Sequence, residues 1–446
     1  MTLRRLRPLG LLVLALAAAG CSEGRKNPPD ATVRVLNVAP SYASLGYRRE
    51  EITALNPPVA LAYEASSDEL SYDEDTYDFH ASILDAGGVT DVDSFSHTVV
   101  AGTLYTFIFM ESGGGVTHTI LESPRFVSDV TNARARATHA IENLPSVDLY
   151  LEAQGTDITG AAPWGTIGFK ESLASRAVAD GVYELTVTEA GNPAHVLFVT
   201  QPFALNAATT TTLVLCPDTG EGIAPFGVVL LNALGATPLV DPNLPASVRA
   251  LNGATDQAPR DVAFASQFTP PLFSGAAFAT PTSYQPLAAG AEIALDVTPA
   301  GNPSAPEAST LVTPVGAKMY TTFFTGDAGT LGVIFQQDDR RRIAGQAKIT
   351  FYDAAPVSAV VEALVLKPGT DPTTIATSTA ILTPGTAQEI AAVPDGYEIW
   401  LRDFITSTML AGPVAVTLAD KGLYGIFLSN DANGTTIDIS LIDGFP

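Results

Sequence analysis

The densest run of chemically capable side chains is "EASSDELSYDEDTYDFH", which places Glu64, Asp68, Glu69, Asp73, Glu74, Asp75 and Asp78 within 15 residues. Crowded carboxylates repel one another, so the stretch reads either as a solvated loop or as oxygen ligands for a hard cation such as Ca²⁺. Asp68, Asp73, Asp75 and Asp78 are the candidate Ca²⁺ ligands. The spacing lacks the turn glycine and closing glutamate of an EF-hand loop. "NDANGTTID" also offers Asp431 and Asp438, but Asn433-Gly434 makes a type I′ hairpin turn the simpler reading. His80, His97, His118, His139 and His195 form no His-x-His or His-Glu-x-x-His pair, so zinc is not expected. His139 reads as a core histidine with a backbone partner. Cys216, in "TTLVLCPDTG", reads as a small buried residue at a strand end, with no flanking His or Lys to activate its thiol.

Catalytic signatures are missing from the string. It contains no Gly-x-Ser-x-Gly, no phosphate-binding GxxxxGK[ST] and no dinucleotide fingerprint, and "ESGGGV" at 111–116 is a turn without a following Lys. Any two acids could meet in space as a glycosidase pair, but nothing nominates one. The expectation is therefore a non-enzymatic protein with no cofactor, Ca²⁺ apart.

Solubility has an unusual source. Charged residues are 16% of 446, against about 25% in ordinary chains. The 47 acids outnumber the 23 bases, for a net charge of −24. That balance excludes nucleic acid, whose phosphates require a basic footprint. It also excludes adsorption to anionic lipid through protein charge.

The N-terminus reads as an export signal: Arg4, Arg5 and Arg7, an apolar run from Leu9 to Ala19, then Ala18-Ala19-Gly20-Cys21. Those four residues resemble the lipobox of bacterial lipoproteins, in which the Cys carries the lipid, with Ala standing where Leu is commoner. Cys21 is the expected lipidation site, residues 1–20 the signal peptide and 21–31 a polar tether. Cleavage would leave 20 bases against the same 47 acids. The membrane partner is then reached through the acyl anchor alone, at about 0.8 kcal/mol per buried CH₂. Ser22 resembles the residue that follows Cys in lipoproteins sorted to an outer membrane. With Cys21 acylated, Cys216 has no disulfide partner, and each domain must bury its apolar surface unaided.

The elements that must position these groups repeat. Four segments open alike, with basic residues Arg34, Arg136, Arg249 and Lys348. A second landmark follows at Tyr77, Tyr183, Ala291 and Tyr397, and a third at Tyr105, Thr211, Tyr320 and Tyr424. Second and third landmarks lie 28, 28, 29 and 27 residues apart. The phrase "VTEAGNP" at 187–193 returns as "VTPAGNP" at 297–303. "YELTVT" alternates Leu185 and Val187 with Thr186 and Thr188, a strand period, and Gly191, Asn192 and Pro193 predict that the strand stops there. Few, short helices are expected.

The prediction is an all-β chain: a tandem array of four immunoglobulin-like β-sandwich domains of seven or so strands, at 32–131, 132–244, 245–344 and 345–446. Their boundaries fall in loops such as "ATPLVDPNLPA" and "QQDDRRRIAGQ". The aromatic landmarks should lie in the sandwich cores. Arg340-Arg341-Arg342 beside Asp338 and Asp339 reads as a solvated turn rather than an anion site.

"ARATHAIENLPSVDLYL", "PWGTIGFKES" and "VADGVYELTVTEAG" in the second unit resemble the bacterial domain-of-unknown-function 4397 family, through Arg136, His139, Pro145, Val147, Asp148, Tyr150, Gly165, Gly181 and Tyr183. Asp180 and Trp164 depart from that pattern. The other units match through "VRVLNVAP", "VRALNGA" and "VPDGYEI". The resemblance implies an exported β domain, often in tandem and lipid-anchored, and supplies no catalytic residues. The functional expectation is a lipid-anchored envelope protein, outer-membrane-sorted, presenting four sandwiches to a protein or polysaccharide ligand. An envelope hydrolase using the acids of unit one and a purely structural spacer are the alternatives.

Overall fold

The computed structural model describes residues 30–49, 58–85, 88–125, 129–218, 226–327, 330–356, 360–431 and 436–445. The signal segment, Cys21, the tether up to residue 29 and the Asn433-Gly434 turn lie outside them. The described strands form eight sheets, two to each unit, and the only helical segment among the described residues is the 3-10 turn Pro372–Thr374.

Unit one sets the pattern with β1 (Ala31–Asn37), β2 (Ser44–Arg49), β3 (Val59–Ala62), β4 (Leu70–Tyr72), β5 (Asp75–Asp85), β6 (Gly88–Val99), β7 (Thr103–Ser112) and β8 (Gly115–Pro124). One layer runs β4-β1-β7-β8 and the other β3-β2-β5-β6. Units three and four repeat this eight-strand plan, and unit two adds the short strands Phe203–Leu205 and Gly235–Leu239. The second of these occupies part of "ATPLV", which sequence reading assigned to a loop.

The tandem sandwiches are thus those expected, with one pairing that alternation does not reveal. In every unit the first strand lies parallel to the strand bearing the third landmark: Val33 opposite Tyr105, Ala135 opposite Thr211, Val248 opposite Tyr320 and Ile349 opposite Tyr424. Parallel neighbours cannot be joined by a hairpin, so the intervening chain builds the opposite layer before returning.

In unit one β1 is also buried on both faces, and all seven residues of "ATVRVLN" are buried. Val33 and Val35 point into the core of unit one, whereas Leu36 points out of it and is equally buried. Leu36, Val38, Ile108, Met110 and Leu121 meet Ala140, Val214, Cys216, Val229 and Leu231, an apolar seam between units one and two. Leu251 and Phe323 meet Tyr352, Ala354 and Phe427 in a second seam between units three and four. The same layer faces inward on both sides of each seam, so units pair isologously, as subunits of a twofold dimer do.

The landmarks acquire physical roles. Tyr105, Tyr320 and Tyr424 are buried in their cores, and their hydroxyls accept the backbone N–H of Val100, Val315 and Ala419, five residues upstream. Tyr77, Tyr183 and Tyr397 are half-buried and donate to the carbonyls of Asp73, Ala179 and Val393, four residues upstream. At the end of the first strand, Asn37, His139, Asn252 and Asp353 each accept the N–H two residues on, at 3.0, 3.2, 3.0 and 3.0 Å. Four divergent residues hold one turn.

That register places Thr350, not Lys348, at the position of Arg34, Arg136 and Arg249, because Ile349 faces Tyr424. Lys348 lies two residues earlier on the same face.

The repeated phrase is a strand end, as read, with one correction. The first strand stops at Glu189, and Gly191 turns with φ +75°. Pro193, however, lies within the next strand, Asn192–Val199. That strand is a sheet edge with a register break beside Pro193, where a missing donor is tolerated. What fixes both corners is a buried carboxylate. Asp148 accepts Gly191 N–H at 2.7 Å, and Asp261 accepts Gly301 N–H at 2.8 Å.

Candidate functional sites

The acids nominated by sequence are spread along unit one. Asp68 and Glu69 are exposed before β4, Asp75 accepts the N–H of Thr76, Asp78 accepts from Ser96 Oγ, and Glu74 accepts Ala101 N–H at 3.3 Å. Among the described residues no three His, Cys, Asp or Glu side chains form a group that could hold a metal ion.

Three histidines of unit one lie on strands β5, β6 and β8, and of these His97 and His118 come close enough to influence one another. His80 Nδ1 lies 3.1 Å from Asp91, and His118 Nδ1 lies 2.6 Å from Asp93 while stacking on Phe95. His97 sits edge-on to Tyr105, its pKa lowered by burial and by His118 against the pull of Glu122. His139 is fully buried with its backbone partner Ile141.

Cys216 is fully buried in the first seam, its thiol 3.7 Å from Glu64 and its pKa pushed well up by burial.

The basic landmarks cross the seams reciprocally. Arg34 donates to the carbonyl of Asn232 in unit two, and Arg136 of unit two donates to the carbonyl of Glu122 in unit one. Arg249 makes a two-toothed ion pair with Asp443 of unit four, 2.7 Å at each contact. Lys348 of unit four reaches Asp339 after the last strand of unit three, and Glu389 of its own unit. The Arg249 clasp is elaborated: Tyr284 lies under its guanidinium, and Tyr284, Thr321 and Tyr352 donate to Asp338. Burial alone would lower the pKa of Arg249, but the bond to Asp443 outweighs it and raises the value.

Between the two pairs lies a cleft of about 310 Å³ lined by Tyr63, Glu64, Asp218, Lys318, Asp339 and Arg341. Sequence reading made the arginine run a solvated turn. Instead Arg340 is buried, and Arg341 grips Asp339 at 2.8 Å and lies over the Tyr63 ring. Burial opposes ionisation of Asp339, yet Arg341 and Lys348 hold its pKa down to about 2. Glu64 is shifted upward, mainly by burial, with Lys318 opposing. Ala344 N–H donates to the carbonyl of Ser41, tying the linker between units three and four to unit one. Arg341 pairs with the adjacent Asp339, but the Tyr63 ring it lies over belongs to unit one and is not legible from the run itself. This cleft holds paired charges and clamps the two halves.

A second cleft, of about 550 Å³, opens between residues 64–69 of unit one and 232–236 of unit two, with Arg34 in its lining.

Residues 246–364 match the family model described as "Domain of unknown function (DUF4397)". The matched segment is similar to the family that the sequence resembles, and it falls on unit three and the opening strands of unit four rather than on unit two. No curated protein matches the chain. Among solved structures, the Bacillus anthracis TIE protein is similar at 8% identity and a TM-score of 0.15, covering 87% of this chain and 68% of that one. A DUF3823 family protein from Bacteroides ovatus is similar at 11% identity and a TM-score of 0.11, covering 40% and 99%.

Proposed function

We propose that the chain is a lipid-anchored envelope protein, held to the outer membrane through Cys21, that acts as a non-enzymatic scaffold presenting loops to a protein or polysaccharide. The observation that supports this reading is the pair of apolar seams. Leu36, Ile108, Met110, Val214, Val229 and Leu231 are buried although they point away from their own cores. Sandwiches joined by a linker alone would expose those faces. Here they are spent on holding neighbours in fixed register, which suits a rigid support whose loops keep constant spacing. The family match and the export-type N-terminus point the same way. Metabolic labelling with palmitate tests the anchor: label on the natural chain and none on Cys21→Ala is expected, and persistent label on the variant overturns it. Retention of the Cys21→Ala chain, which has no acyl anchor, on isolated cell envelopes tests presentation. It should be lost when the turn loops of one unit are replaced by those of another, and unchanged retention would remove the binding role.

A further inference from the structure

We propose that the cleft between residues 64–69 and 232–236 binds a small zwitterion, its carboxylate on Arg34 and its ammonium group on Asp68 and Glu69. The argument comes from comparing two equivalent arginines. Arg34 faces Thr106 in register as Arg249 faces Thr321, and each is 3% exposed. Arg249 has the Asp443 carboxylate, supplied by its partner unit, at both ends of its fork. Among the described residues Arg34 has only the Asn232 carbonyl at 2.7 Å and Thr106 Oγ1 at 3.4 Å, and its Nε has no partner there. Among the described residues no carboxylate lies within ion-pair distance of it.

A buried guanidinium stripped of water and given neutral acceptors lacks the strong two-toothed bond that a carboxylate supplies. In the other pair the protein supplies that carboxylate. Here Leu231 holds the strand position of Asp443, and Arg34 instead lines the 550 Å³ cleft, a volume suited to a ligand of dipeptide size.

The rim selects the class. Glu64, Asp68 and Glu69 line the same cleft, and the charge of Glu69 acts on Arg34. A bare anion entering there meets three carboxylates. A molecule carrying its own ammonium group pairs with them. This inference goes beyond the scaffold reading and does not depend on the anchor.

The test is titration of the full chain, followed by calorimetry, with glycylglycine, N-acetylglycine (no ammonium) and glycinamide (no carboxylate). Glycylglycine should bind, and each of the others at least tenfold more weakly. Asn232→Asp keeps the side-chain oxygen that accepts the N–H of Leu234 and adds a negative charge on the residue whose backbone carbonyl Arg34 engages, in the lining of the same cleft. It should weaken glycylglycine at least tenfold without altering the melting temperature by much, as should Asp68→Asn with Glu69→Gln. Equal binding of N-acetylglycine, indifference to Asn232→Asp, or no heat with glycylglycine overturns the proposal.

Discussion

Asp261 Oδ2 accepts the backbone N–H of Gly301 at 2.8 Å, across 40 residues of chain, while its Oδ1 accepts the N–H of Gly275 at 2.7 Å. Both oxygens face donors that cannot turn away. Asp148 holds Gly191 in the same manner, but its second oxygen faces the rotatable hydroxyl of Thr166. Asp261→Asn therefore aims an amide N–H₂ at a backbone N–H and should cost about 2–3 kcal/mol, whereas Asp148→Asn should cost about 1. Urea unfolding of the two variants measures the difference, and equal losses would contradict this account of the corners.

Asp353 stands where units one and three place Asn37 and Asn252, whose amides donate to the carbonyls of Leu61 and Ala276. Burial pushes the Asp353 carboxyl up to about 7, with the Ala355 N–H opposing. An unfolded Asp ionises near 4. The folded state therefore binds more protons between those values, and stability falls as pH rises from about 4 to about 7, then levels. Asp353→Asn should remove that slope and stabilise the protein at pH 8 by up to roughly 4 kcal/mol, with no gain below about pH 4. Denaturation midpoints at the two pH values decide it.

The Arg249–Asp443 pair is buried on both sides, at 4% and 8% side-chain exposure. Removing one member leaves a charge without water or partner. Arg249→Met should cost about 3–5 kcal/mol, and adding Asp443→Leu should restore most of it. A double-mutant cycle with no recovery would mean that the pair is incidental to the seam.

Cys216 should resist thiol alkylation in the native protein, because it is fully buried in the seam and its thiol is held protonated. Ile108→Asp places a carboxylate in that seam without touching the core of unit one. It should destabilise by about 3 kcal/mol or more and make Cys216 react under native conditions. Mass spectrometry after a timed iodoacetamide pulse reads both.

Local patterns carry the layers and the repetition, since Leu185 and Val187 against Thr186 and Thr188 declare one buried face. They do not carry the seams. Leu36 and Ile108 look like ordinary strand residues, and only a second unit makes their outward face an inside. The arginine run failed for the same reason. A charge stretch is solvated by default, and although Arg341 pairs with the adjacent Asp339, the rings beneath the run, Tyr284 under Arg340 and Tyr63 under Arg341, lie far from it in sequence. Lys348 aligned with the other basic landmarks by appearance, but Tyr424 sets the register and moves it by two residues. The approach of His97 to His118 is not legible in the sequence because it is made between the two layers.

Isologous pairing makes parity a property of the polymer. Each module consumes one sticky flank of exactly one neighbour, so a chain of this design lengthens in couples, and an odd member would be left seeking a mate on another molecule.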